Sequence, residues 1–154
     1  MRINKMKKIP AAALLGIAGF MLISQSAQVR HTNPPAKGDF AASPEINSLL
    51  RRACYDCHSN ETRWPWYSYV APVSWLIARD VESGRRGLNF SKWGSYYPST
   101  RRRKLQWIDR VLRERTMPPW SYVMLHRGAG LTEEDLVALE HWIKSEISGQ
   151  PQQN

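Results

Sequence analysis

Acidic residues are missing from the first 38 positions, histidine occurs four times, and cysteine only twice. No stretch alternates apolar and polar residues in the manner of a half-buried strand, so a sheet is not expected. A second cysteine pair is absent, which rules out a four-cysteine zinc site. The missing acids explain much of the net charge of +9. Arg2, Lys5, Lys7, Lys8 and Arg30 account for five of the 22 basic residues, and from His31 onward 17 basic residues face 13 acidic ones, a balance of +4. That is no sign of nucleic-acid binding, and no nucleic-acid partner is expected. A mildly basic surface instead suits an acidic partner protein. A hydrophobic content of 42% excludes a disordered chain. The 154 residues allow one domain with one modest core, show no internal repeat, and carry seven tryptophans.

What is present begins with an export pattern. "MRINKMKK" is a basic flank, and Ile9 to Ile23 form an apolar run of 15 residues followed by the small residues "SQSA". Residues 1–29 are therefore expected to be a signal peptide or an N-terminal membrane anchor. Positions 9 to 29 are uncharged, about the length a span requires, although their second half is polar. Either reading places the remainder in the periplasm, soluble or tethered to the inner membrane. Residues 30–42, with Pro34, Pro35 and Gly38, are expected to be a linker, 43–148 the folded domain and 149–154 a disordered tail.

Within 43–148 the patterning is helical. Ser43 caps, Pro44 suits the first helical position, and Ile46, Leu49, Leu50 and Ala53 fall on one face. The stretch "PVSWLIARDVESG" predicts a helix stopped at Gly84, with Val73, Leu76, Ile77 and Val81 along one stripe. Arg85 and Arg86 are then expected in a solvated turn. A third helix is expected from a Ser99 or Thr100 cap, with Leu105, Ile108, Val111 and Leu112 inward. Thr132 and Asp135 form a capping box for the last, with Leu136, Leu139, Ile143 and Ile147 inward. The expected fold is all-α, a helical domain of four to five helices with long aromatic loops.

Both cysteines lie in "ACYDCHSN". A thioredoxin-type dithiol needs a helix N-terminus after a strand, and Cys54 and Cys57 instead end a helix. Zinc needs four ligands, and only Cys54, Cys57 and His58 are at hand. A Cys54–Cys57 disulfide suits an exported chain but leaves His58 unexplained. Covalent attachment of one haem c uses every residue: two thiols form thioethers with the vinyl groups, and the adjacent His58 ligates iron. For the sixth ligand Met117 in "RTMPPW" leads, because Pro118 and Pro119 stiffen the loop that presents it and Pro118 biases it to an extended backbone. His126 and Met124 compete. His141 is expected on a helix surface.

The stretches "CYDCHSNETRWPWYS", "PVSWLI", "LNFSKWGSY", "MPPWSYVMLH" and "LTEEDLVALEHW" give the chain a resemblance to the haem-binding domain family of small exported bacterial c-type haem proteins. The resemblance covers about two thirds of the chain. It implies a cytochrome c-like fold, covalent haem at Cys54 and Cys57, and iron ligation by His58 and Met117. Trp64, Trp66 and Tyr67 follow the motif closely and are candidate walls of the haem crevice, with Trp93, Tyr96 and Trp120 as further candidates. "RRRK" at 101–104 is read as an exposed first helical turn and a docking patch for an acidic redox partner. The expected role is that of a monomeric, non-enzymatic electron carrier between redox partner proteins. The competing roles are a haem-based sensor and a peroxidase-like enzyme with an open iron position.

Overall fold

The computed structural model of the chain describes residues 10–26, 29–36, 38 and 40–149. The basic flank and the last five residues of the expected tail lie outside them. Among the described residues there are seven α-helices and no strand, an all-α fold as expected. They are α1 (Ala11–Ser26), α2 (Pro44–Ala53), α3 (Tyr55–His58), α4 (Val73–Gly87), α5 (Pro98–Arg113), α6 (Trp120–Leu125) and α7 (Glu133–Ser148). The count exceeds the expected four to five because α3 and α6 are short helices inside stretches read as a helix end and a loop. The aromatic stretches form 3₁₀ turns at Trp66–Tyr69 and Phe90–Ser95. No helix among the described residues is long and apolar enough to cross a membrane.

Two compact units divide the chain. One is drawn from residues up to His31 together with Trp64–Arg79, the other from Thr32–Arg63 and from Asp80 onward. In the first unit His31 Nε2 lies 2.7 Å from the Ser68 carbonyl, and its ring meets the Trp64 ring edge-on.

The second unit holds the core. Leu50, Leu139, Trp142 and Ile143 are almost wholly buried, with Ile46, Leu49, Leu105, Ile108 and Leu112 around them. α2 begins as the sequence predicts, Ser43 Oγ accepting from the Ile46 N–H at 3.4 Å. α7 carries the expected capping box between Thr132 and Asp135. On α7 it is Trp142 that joins Leu139 and Ile143 inside, while Leu136 and Ile147 pack at the margin. Phe40, placed in the linker by sequence, packs into this core with its ring 5.2–5.4 Å from those of Phe90, Trp93 and Trp142. Such aromatic pairs each add about 0.5–1.5 kcal/mol beyond their burial.

Two expectations about helix bounds are corrected. α5 begins at Pro98, whose fixed φ suits a first helical position, and not at a Ser99 or Thr100 cap. α4 runs through Gly84 to Gly87, so Arg85 and Arg86 lie in its last turn. Of the apolar stripe predicted for α4, Val81 is buried, whereas Val73 and Leu76 remain exposed.

Candidate functional site

The site is built at the junction of α2 and α3. The apolar face of α2 (Ile46, Leu49, Leu50, Ala53) fixes that helix in the core, and Cys54 follows directly. The Cys54 N–H still donates to the Leu50 carbonyl at 2.8 Å, but its own backbone (φ −126°) bends the chain. Its carbonyl then accepts from both Cys57 N–H (3.2 Å) and His58 N–H (2.9 Å). The two half-buried, unbridged thiols thus stand one turn apart, the i, i+3 spacing that puts side chains on one side of a helix. Burial is the main cause that pushes both thiols up, Cys54 to about 12 and Cys57 to about 11, with carboxylates including Asp56 contributing to the second. Both are protonated at neutral pH.

His58 is oriented by backbone. Its Nδ1 lies 3.0 Å from the Gly84 carbonyl and 3.3 Å from that of Leu88. Only a protonated Nδ1 satisfies two carbonyls, so the lone pair sits on Nε2, the tautomer a metal-ligating imidazole needs. Burial lowers its pKa from 6.5, which keeps the ring neutral and able to bind iron.

Gly84 is what lets α4 come this close. A Cβ on Gly84 would lie 2.4 Å from the Cys57 carbonyl oxygen, 3.0 Å from its carbon and 3.1 Å from its Cβ. Sequence reasoning took this glycine as a helix stop; it lies inside α4, at a contact between two backbones. Trp107 was also missed. Its ring meets His58 edge-on at 6.0 Å. The available signal was an apolar residue on α5 off the stripe of Leu105, Ile108 and Leu112.

The polar residues of the motif hold the turn. Asp56 is buried, and its carboxylate accepts from the Arg63 N–H (3.0 Å), the Arg63 guanidinium (3.2 and 3.3 Å) and the Tyr122 hydroxyl (2.6 Å). Burial and that carboxylate push the Tyr122 hydroxyl pKa well up. Ser59 Oγ donates to the Tyr55 carbonyl at 2.7 Å, the Asn60 backbone N–H donates to Ser91 Oγ at 3.0 Å, and Asn60 Oδ1 accepts from the Asn89 side-chain amide at 2.8 Å. Arg85 is neither in a solvated turn nor free for a propionate: it donates to Ser59 O (2.7 Å), Thr32 O (2.8 Å), Asn33 Oδ1 (2.8 Å) and Thr62 Oγ1 (2.9 Å).

Met117 lies half-buried between α5 and α6. His126 stacks on Tyr122 at 4.2 Å, its Nδ1 3.1 Å from the Tyr122 carbonyl. Met124 and His141 are exposed. Trp93 is a core residue, Tyr96 takes the Asn89 N–H on its hydroxyl at 3.1 Å, and Trp120 is exposed. Of "RRRK", Arg102 and Arg103 are exposed, while Lys104 donates to the Gly87 carbonyl at 2.5 Å. Trp64, Trp66 and Tyr67 belong to the other unit. There Trp64 is half-buried with its Nε1 buried and without an acceptor among the described residues, Trp66 is exposed, and Tyr67 is half-buried.

The model of the haem-binding domain family matches residues 13–145. The chain belongs to the haem-binding domain family. This haem-binding domain is also similar to cytochrome c peroxidase Ccp of Escherichia coli (strain K12), at 21% identity over 136 residues. That alignment takes in 86% of the chain and 29% of the relative, so the chain spans less than a third of that protein's length. No solved structure matches it. The donor set fits the cofactor. Two thiols one turn apart, an imidazole with Nε2 left for a metal, and Gly84 of α4 packed closely against that turn make a donor set able to hold a haem.

Proposed function

We propose that this haem-binding domain carries one haem c and transfers single electrons between redox partner proteins beyond the inner membrane. The observation that carries the reading is the His58 ring, held through Nδ1 by two backbone carbonyls, immediately after two cysteines on a single turn. Cys54 and Cys57 would each add across one vinyl group, the sulfur bonding to one carbon and the thiol proton going to the other. His58 Nε2 and the Met117 thioether would hold the iron. When bound, haem supplies a reversible one-electron couple at its iron, and a soft thioether such as that of Met117 favours the ferrous form. The chain supplies the rest. The Gly84 and Leu88 carbonyls hold the imidazole tautomer, and the Asp56, Ser59 and Asn60 bonds keep the turn rigid. An electron carrier benefits from such rigidity because little needs to rearrange as the charge changes.

The test is expression with a c-type maturation system. A haemochrome assay should show thioether-linked haem in the wild type and none in Cys54→Ser/Cys57→Ser. The oxidised wild type should show the weak charge-transfer band of a thioether-ligated iron, and Met117→Ala should abolish it. Haem that stays covalently bound in the double serine variant refutes the attachment.

A second reading, peroxidase-like chemistry at an open iron position, is favoured by the name of the peroxidase relative. It predicts a high-spin wild type that binds carbon monoxide readily and reacts with hydrogen peroxide.

A further inference from the structure

The short helix α6 has no core face. Its six residues include none that is buried, and Trp120, Met124 and Leu125 are 76%, 62% and 59% exposed. A helix of this length is not stable alone. Its position therefore depends on a few polar ties, and the most direct is the Tyr122 hydroxyl on Asp56, at 2.6 Å. Asp56 is a firm anchor: it lies between the two cysteines, is buried, and is held from its other side by the Arg63 backbone and guanidinium.

The tie continues towards Met117. Tyr122 N–H and Val123 N–H both donate to the Pro119 carbonyl, at 3.0 and 3.1 Å, closing the first turn of α6. Pro118 and Pro119, with φ fixed by their rings, leave little slack between that turn and Met117. On the other side the chain leaves α5 under equal control. Thr116 N–H donates to the Val111 carbonyl at 3.0 Å, and Arg115 pairs with Glu133 at 2.6 Å.

We infer that Tyr122, acting through Asp56, is a positioning residue that locks the Met117 turn to the haem-attachment turn. The inference rests on the reading of Met117 as an iron ligand. One hydrogen bond then couples the two sides of the iron, so that the carboxylate lying between the thioether cysteines also sets how firmly the thioether is presented.

The test uses the holoprotein and imidazole, which competes for the Met117 position. Tyr122→Phe removes only the hydroxyl. A hydrogen bond to a charged acceptor is worth about tenfold or more in an equilibrium. Imidazole should therefore bind about tenfold more tightly to Tyr122→Phe than to the wild type, with covalent haem content unchanged. Arg63→Gln, which loosens Asp56 from its exposed side, should shift the affinity in the same direction by a smaller factor, about twofold to threefold. Ile147→Ala, which trims the core margin near the far end of α7, controls for general loss of stability and should leave the affinity as in the wild type. Equal imidazole affinity in Tyr122→Phe, Arg63→Gln and wild type overturns the inference while leaving Met117 as ligand. A wild type without the thioether band, and with the same imidazole affinity as Met117→Ala, overturns both.

Discussion

Substituting Gly84 by alanine tests the packing on which the cysteine–histidine turn depends. Alanine would place a methyl group 2.4 Å from the Cys57 carbonyl oxygen, where ordinary contact begins near 3.4 Å. The two backbones must therefore separate by about 1 Å. The atoms opposed are backbone, and no rotamer change relieves them. Overpacking of this kind costs about 1–3 kcal/mol, and the absence of a flexible partner argues for the upper end. Alanine regains about 1 kcal/mol through its higher helix propensity, leaving a net loss of about 2 kcal/mol. The separation also stretches the bond from His58 Nδ1 to the Gly84 carbonyl, 3.0 Å at present, so ligand geometry should suffer along with stability. Denaturant unfolding read by tryptophan fluorescence measures the first effect, and haem content per chain after maturation the second. Gly87→Ala, at the end of the same helix, is the internal control, because its Cβ would meet nothing within 4 Å. It should be neutral or stabilising by up to about 1 kcal/mol. A Gly84→Ala variant as stable as Gly87→Ala, with full haem content, would refute the close backbone approach.

Arg52 joins α2 to the segment before α7. Its guanidinium donates to the Gly128 carbonyl at 2.9 Å and the Gly130 carbonyl at 2.7 Å and pairs with Asp135. Arg52→Met should cost about 2–3 kcal/mol, a third of the side chain being exposed, and lower Tm on the order of 10 °C in a thermal melt. In the haem-free chain the thiols should report burial. Cys57 titrates near 11 against an ordinary 9.0, so at pH 8 the folded chain holds about a hundredfold less thiolate there, partly offset by the greater nucleophilicity of the more basic sulfur. Alkylation at Cys57 should therefore run about tenfold slower than in the urea-unfolded chain, and equal rates would mean an open turn. The same shift fixes a pH dependence. The unfolded chain loses thiol protons from about 9 and the folded one only towards 11–12, so stability is intact below pH 9 and falls as pH rises above it, which denaturant midpoints at pH 8 and pH 10.5 would measure.

Local chemistry explains which features were legible in the sequence. Ser43, Pro44, Thr132 and Asp135 act within four residues of one another, and a cap works through the chain's own nearest amides. The apolar face of α2 was legible for the same reason: periodicity places Ile46, Leu49, Leu50 and Ala53 together whatever they pack against. Cys54, Cys57 and His58 lie within five residues, so their spacing on one turn was legible from the sequence alone. What failed was long-range. Gly84 looks like a terminator until Cys57, 27 residues earlier, is seen against it. Arg85 looks solvated until Thr32 and Ser59 arrive as acceptors. Phe40 looks like linker until Phe90, Trp93 and Trp142 surround it. α6 was hidden because no apolar stripe marks it; its most direct tie is the Tyr122 hydroxyl on a carboxylate 66 residues away.

That distribution bears on how such a site keeps its geometry. The proposed thioether links would fix two sulfurs but leave the imidazole and Met117 to be held by the protein. The imidazole is held by carbonyls at the end of α4, and these cannot swing as a side chain does. The polar residues after His58 serve the same end from outside, each satisfying a backbone or buried group: Ser59 on Tyr55, Thr62 on the Asp56 carbonyl at 2.7 Å, Asn60 on Asn89. Buried polar networks cost free energy when one member is lost, because the others are left unpaired. The turn is therefore stiff as a unit, and on the proposed ligation by Met117 any loosening needed for ligand exchange would fall on the Met117 side, where no residue of α6 is fully buried. On that proposed ligation, exchange at iron should respond to changes in α6 and its clasp and remain insensitive to changes in the His58 carbonyl pair that leave the fold intact.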